Sequence, residues 1–224
     1  NARRVQSGLP ITVMKSYVDI GRQYARSEPE KVGNSLVVHE PIGVCTFITP
    51  WNYPLHQIVG KVAPALVAGC TMIVKPSSET PLNAFLLAQI IDEVGLPAGV
   101  FNLVTGAGRT VGEALCVHPD VDMISITGST EAGARIATLG APSVKRICQE
   151  LGGKSANVIL DGADLAAAVP AGVIGMMLNC GQTCTALTRM IVPRSRQQEV
   201  VDLAVGALAT LAMGDPLSDG NFLG

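Results

Sequence analysis

The chain has 224 residues, 48% of them hydrophobic and 15% charged, with a net charge of −2 at neutral pH. That composition excludes a disordered chain and gives no electrostatic footing for nucleic acid or an anionic membrane surface, and no apolar run reaches membrane-spanning length. The six cysteines (45, 70, 116, 148, 180 and 184) lie in apolar surroundings without the paired spacing of a zinc site, so no metal is expected and a reducing cytoplasm is the natural setting.

Val13, Tyr17, Ile20 and Tyr24 recur at helical spacing, which predicts a surface helix over 11–26. Residues 36–39 form a short β-branched run closed by Pro41, the pattern of an exposed or edge strand. From Val44 the chain alternates. Strands are expected over 44–48, 71–74, 100–104 and 123–126, and helices over 55–67, 83–94, 110–117 and 129–139. Thr80, Pro81, Gly95 and Pro97 punctuate the second of these helices as N-cap, first turn, stop and follower, and Thr110 with Glu113 has capping-box spacing. Regular strand–helix alternation calls for an open parallel sheet with helices on both faces, and ligands then bind at the carboxyl ends of the strands. After Gly152-Gly153 the pattern restarts: a strand over 157–160, a helix over 165–178 capped by Asp164, a strand over 190–192 and a helix from a second capping box at Ser195 to about Leu211. A boundary there gives two domains, 1–152 and 153–224. No Met opens the chain and no closing element follows Phe222-Leu223-Gly224, the look of a piece of a longer polypeptide.

Four stretches carry candidate chemistry. Cys184 ends a short polar loop between a helix and a strand, where a thiol serves either as a nucleophile or as one more small hydrophobe. Asn52 is held between Pro50 and Pro54, as an oxyanion donor or a turn residue. Thr127-Gly128-Ser129-Thr130 opens a helix, so it reads equally as an anion site or as plain N-capping by Ser129. Glu150 precedes a Gly-Gly bend, facing a cleft or simply solvated. Gly106 to Gly112 follows a strand but is one residue too long for the dinucleotide fingerprint, which leaves it a weak phosphate motif or an ordinary turn.

Pro50-Trp51-Asn52-Tyr53-Pro54, Lys75-Pro76, Thr127-Gly128-Ser129-Thr130, Glu150-Leu151-Gly152-Gly153-Lys154-Ser155 and Gly181-Gln182-Thr183-Cys184, in that order, resemble the pattern of the aldehyde dehydrogenase superfamily. The resemblance runs from about Leu36 onward and covers about half of a family member. It implies a Rossmann-like cofactor domain followed by the first part of a catalytic domain. It implies oxidation of a small-molecule aldehyde to an acid with NAD or NADP, through a thiohemiacetal and a thioester on Cys184. Asn52 and the Cys184 N–H would hold the oxyanion, Glu150 would activate water, and Lys61 would lie near the catalytic cleft. Ile48, Thr49, Pro50, Trp51, Lys75, Ser78, Gly108, Gly112, Thr127, Gly128, Ser129, Leu151 and Gly152 would line the cofactor site. Residues 35–42 would form part of an oligomerisation hairpin, giving a homodimer or tetramer at full length. Ser78 stands three residues after Lys75, where NAD-preferring members carry a glutamate, so NADP is expected to be accepted, with Glu79 adjacent. Cys180, Ile126 and Gln149 depart from the pattern, and the later Glu-x-Phe-Gly-Pro segment is absent. The alternatives are a coenzyme-A-acylating relative, against which Glu150 argues, and a non-catalytic protein of the same fold.

Overall fold

A computed structural model describes residues 2–24 and 29–224. The chain divides into two compact units, Ala2–Leu151 and Gly152–Gly224.

The first unit opens with a π-helical segment (Ala2–Gly8) and helix α1 (Leu9–Tyr24), whose Val13, Met14 and Tyr17 pack on the core while Ile20 stays exposed. The predicted helix therefore begins two residues earlier than expected, and its expected end at Arg26 lies outside the described residues. Strands β1 (Glu30–Val32) and β2 (Ser35–Val37) pair antiparallel as a hairpin exposed along its whole length. The β2 strand was expected. Its partner was not, because Glu30-Lys31-Val32 has no apolar alternation.

The centre of the unit is a five-stranded, wholly parallel sheet made of β3 (Val44–Ile48), β4 (Thr71–Lys75), β5 (Phe101–Leu103), β6 (Met123–Gly128) and β7 (Arg146–Leu151), in spatial order β5-β4-β3-β6-β7. Side chains alternate across its faces. Cys45 and Phe47 of β3 join α2 (Pro54–Val67) and α3 (Leu82–Glu93) in one core, while Val44 and Ile48 join Ile124 and Ile126 of β6, α4 (Glu113–Val117) and α5 (Thr130–Gly140) in the other. Helices α2 and α3 both end in Schellman turns closed by Gly69 (φ +76) and Gly95 (φ +75), with Cys70 N–H reaching Ala65 O at 2.9 Å and Leu96 N–H reaching Ile91 O at 3.4 Å.

Three predicted details fail for local reasons. Thr80 does not cap α3; its hydroxyl donates to Trp51 O at 3.3 Å instead. Thr110 opens no capping box, since its hydroxyl donates back to Ala107 O at 3.3 Å and Glu113 is taken by Arg135. The second capping box is also absent: Arg196 is the N-cap of α7 (Gln197–Ala209), and its guanidinium binds Glu199 at 3.0 and 3.1 Å.

The second unit is smaller. Strands β8 (Ala156–Val158) and β9 (Arg189–Ile191) pair in parallel, and α6 (Leu165–Met177) packs with α7 around Ile159, Leu165, Val169 and Val200. Asp164 caps α6 as expected, accepting from Ala166 N–H at 3.1 Å.

Candidate active site

Strand order reverses between β3 and β6, so the loops leaving their carboxyl ends diverge and open a crevice. Ile48 hands the chain to Thr49 and Pro50, and Thr127 and Gly128 close β6 ahead of Ser129. The Ser129 hydroxyl accepts from Ala132 N–H at 3.1 Å, so it is an N-cap. The Thr49 and Thr127 hydroxyls are different: both are buried without a hydrogen-bond partner. An unmet buried hydroxyl costs about 1–3 kcal/mol. Two of them at the reversal point fit a polar ligand such as a dinucleotide, whose oxygens and amide would satisfy them.

On the α5 face of the sheet lies a cavity of about 380 Å³ with Ile48, Ile126 and Ile136 as apolar walls and Gly108 and Gly112 along one side. Its rim is charged but balanced. Arg135 grips Glu113 through two bonds of 2.8 and 3.2 Å, and Arg109 faces Glu131 at 3.7 Å. The hydrogen bond from Arg135 holds the Glu113 carboxyl below its usual range. None of these four charged residues was expected in the site, because each pair joins residues 22 apart; Glu113 was read only as half of a capping box. The glycine stretch is a turn rather than a phosphate cradle: the N–H groups of Thr110, Val111 and Gly112 all converge on Ala107 O, at 3.0–3.4 Å, and are spent there. Gly106 (φ +143) supplies the backbone bend.

Lys75 is buried at the end of β4, 4% exposed, and its ammonium donates to Pro76 O at 2.9 Å and Gly106 O at 3.2 Å. Burial lowers its pKa. Two of its three donors are thus committed to tying β4 to the glycine turn, which leaves one for a ligand. Ser78 is exposed in the turn that follows. Trp51 is 47% exposed. Asn52 Oδ1 accepts from Tyr53 N–H at 3.1 Å, which fixes the accepting end of the side-chain amide, and the Asn52 backbone carbonyl accepts from Gln6 Nε2 at 3.0 Å.

Glu150 is exposed on β7, in register with Thr127, and Leu151 pairs with Gly128. β7 was not foreseen; Glu150 sits near the end of this strand, ahead of Gly152-Gly153. On the α2 face of the sheet a second cavity, of about 510 Å³, is lined by Lys61, Ser125 and Glu150. Leu151 also packs against α5 at Gly133, where an added Cβ would come within 2.7 Å of its Cδ2, while Gly152 has open space around it.

In the second unit, α6 runs into a 3₁₀ turn (Leu178–Gly181) in which Asn179, Cys180 and Gly181 have φ of 55, 56 and 73°. Left-handed backbone at non-glycine residues costs about 1–2 kcal/mol each, and such strain concentrates at working loops. Cys184 follows in a loop tied by Gln182 N–H to Asn179 O at 3.0 Å and Thr183 Oγ1 to Leu178 O at 3.2 Å. It is half-buried, unlike Cys45, Cys70 and Cys116, which are core residues. Cys180 is exposed. Among the described residues no group of His, Cys, Asp and Glu is arranged to hold a metal, and no helix is long and apolar enough to cross a membrane.

A five-stranded parallel sheet with helices on both faces and a reversal of strand order is an open α/β architecture, in which ligands bind at the carboxyl ends of the strands. The family model for the aldehyde dehydrogenase family matches residues 2–224, and the chain belongs to that family. It is 58% identical over 193 residues to a 3-succinoylsemialdehyde-pyridine dehydrogenase of a Pseudomonas species, covering 86% of this chain and 40% of that one. Aldehyde dehydrogenase C of Pseudomonas syringae, solved as a cysteine-to-alanine mutant with NAD+ and octanal, is 50% identical and superposes with a TM-score of 0.91 over 96% of this chain and 45% of its own. An E. coli NADP-dependent enzyme is 36% identical with a TM-score of 0.88, over 96% and 46%. The chain thus spans about half the length of the relatives it matches.

Proposed function

We propose that the full-length protein oxidises an aldehyde to the free carboxylic acid with NAD or NADP. The observation that carries this reading is Glu150: an exposed carboxylate at the ligand end of the cofactor sheet, in register with Thr127, in no ion pair among the described residues. A base placed there serves hydrolysis, and a coenzyme-A-acylating relative has no use for it. Residues 1–152 are assigned to cofactor binding and 153–224 to the start of the catalytic domain.

The cofactor, when bound, supplies the hydride acceptor. Thr49, Thr127, the remaining Lys75 donor and the walls around Gly108 and Gly112 would hold it, with Ile48, Pro50, Trp51, Ser78, Gly128, Ser129, Leu151 and Gly152 around them. Cys184 adds as thiolate to the aldehyde carbon, forming a C–S bond. The Asn52 amide and the Cys184 N–H donate to the resulting oxyanion. Loss of hydride leaves a thioester on Cys184, splitting one difficult oxidation into two easier steps. Glu150 takes a proton from water, the hydroxide attacks the thioester carbon, and the C–S bond breaks to release the acid. The exposed β1–β2 hairpin, with Leu36 at 64% and Val38 just beyond it at 55% exposure, supports assembly through 35–42 into a homodimer or tetramer. A cytoplasmic setting and a small-molecule aldehyde as substrate belong to the same reading.

The test is aldehyde-dependent reduction of NAD or NADP by the full-length polypeptide and its Cys184→Ala variant. Turnover in the first and none in the second, with cofactor binding retained, is the expected result. Turnover that persists in the variant overturns the covalent mechanism.

A further inference from the structure

The turn that carries Asn52 is held from outside itself. The Asn52 backbone carbonyl accepts from Gln6 Nε2 at 3.0 Å, and the Asn52 side-chain Oδ1 accepts from Tyr53 N–H at 3.1 Å. That carbonyl and that N–H are the two ends of one peptide unit, which is planar and resists twisting. Gln6 therefore grips one edge of a rigid plane, and the Asn52 side chain is bonded to the other edge. Rotating the plane turns the side-chain amide with it. The prolines do not set this angle: Pro50 fixes its own φ and Pro54 restricts Tyr53, and neither sets ψ of Asn52. Nor does the helix set it, because α2 opens one residue later, on Tyr53 O, which accepts from Gln57 N–H at 2.9 Å. The preceding peptide is held in the same manner, with Thr80 Oγ1 donating to Trp51 O at 3.3 Å.

We propose that Gln6 is a positioning residue for aldehyde oxidation: by donating to the Asn52 carbonyl it sets the angle of the peptide to which the Asn52 side chain is bonded, and so aims that side-chain amide at the oxyanion. The proposal rests on the reading of Asn52 as the oxyanion donor. Gln6 is delivered by its own element. It is half-buried on the π-helical segment Ala2–Gly8, which packs on α2, and it reaches a carbonyl 46 residues further along the chain. Its side chain is a neutral amide that donates at any pH. An oxyanion donor works when it lies about 2.7–3.1 Å from the place where charge develops, and a misplacement of about 1 Å can cost 10²-fold in rate. A bond that fixes the angle of the donor therefore acts on the rate of the chemical step and leaves cofactor binding alone.

The experiment uses the full-length enzyme in a double-substitution cycle of wild type, Gln6→Met, Asn52→Ala and the two combined. Met matches Gln in length and has no donor. The readouts are the rate of the first hydride burst, the cofactor dissociation constant and the thermal midpoint. Gln6→Met should slow the burst roughly 5–30-fold with cofactor affinity unchanged. In the Asn52→Ala background the same substitution should cost less than about twofold, because no amide is left to aim. Gln6→Glu, of the same length but only an acceptor when ionised, should lose at least as much as Gln6→Met. A wild type without aldehyde-dependent cofactor reduction sinks the dehydrogenase reading and this proposal with it. An active wild type in which Asn52→Ala costs well under tenfold removes the oxyanion donor, and the proposal falls with that role. Where Asn52→Ala does cost its full amount, an unchanged burst in Gln6→Met, or equal losses in the two backgrounds, sinks only the role of Gln6. A packing effect would be the same with or without the Asn52 side chain.

Discussion

Two core thiols make the first unit sensitive to alkali by a calculable amount. Burial, then the neighbouring Cys70 and Asp122, pushes the Cys45 thiol up to about 12, and burial with Glu113 pushes Cys116 to about 11, from a starting value of 9.0. The folded protein therefore keeps both protons where the unfolded chain releases them. Between these values the native state binds more protons, so stability is fully present below about pH 9 and falls as pH rises towards 11–12. At pH 10 each thiol accounts for roughly 1–2 kcal/mol of lost stability, and at pH 8 for almost none. Lys61 and Lys75, whose pKa values burial lowers, act in the opposite direction over the same range. A comparison with Cys45→Ala/Cys116→Ala removes them, since both proteins carry the lysines. Urea unfolding of the full-length protein at pH 8 and pH 10 should show wild type losing about 3 kcal/mol more than the double variant. Equal losses in the two proteins would refute the reasoning, because the thiols would then ionise no differently in the fold than out of it.

Other consequences concern the site. Asn52→Ala in the full-length enzyme should lower turnover by roughly 10²–10³-fold, the loss for one oxyanion donor; a change well under tenfold would make Asn52 only a turn residue. Ser78→Glu should move the ratio of catalytic efficiencies away from NADP and towards NAD, since a carboxylate repels a 2′-phosphate at close range. A wild type that cannot use NADP, or a ratio the substitution leaves untouched, would show that Ser78 does not face the adenosine ribose.

The sheet was legible where burial is complete. Val44 to Ile48, Thr71 to Val74 and Met123 to Ile126 are apolar runs of strand length between turn residues, and all three lie inside the observed strands. β7 was not, because an edge strand carrying Arg146, Gln149 and Glu150 breaks the apolar pattern. The capping boxes misled because spacing does not say which acceptor a hydroxyl prefers, and Thr110 found Ala107 O nearer. In the site, Thr49 was expected from the family resemblance, and Thr127 from its place just ahead of a helix. The commitment of Lys75 to Gly106, 31 residues on, and of Lys61 to Ser125, 64 residues on, was not. Those contacts depend on how strands and helices stack, which no local pattern encodes.

The central claim is that Glu150 acts after hydride loss, as the base that frees the acid from Cys184. It is tested most directly by mixing full-length Glu150→Gln with aldehyde and oxidised cofactor and following reduced cofactor from the first milliseconds. The account predicts a single burst of about one equivalent per site, at close to the wild-type rate, with little turnover afterwards. A burst that disappears along with the steady state would contradict it, and would place Glu150 in activation of the thiol or in the structure.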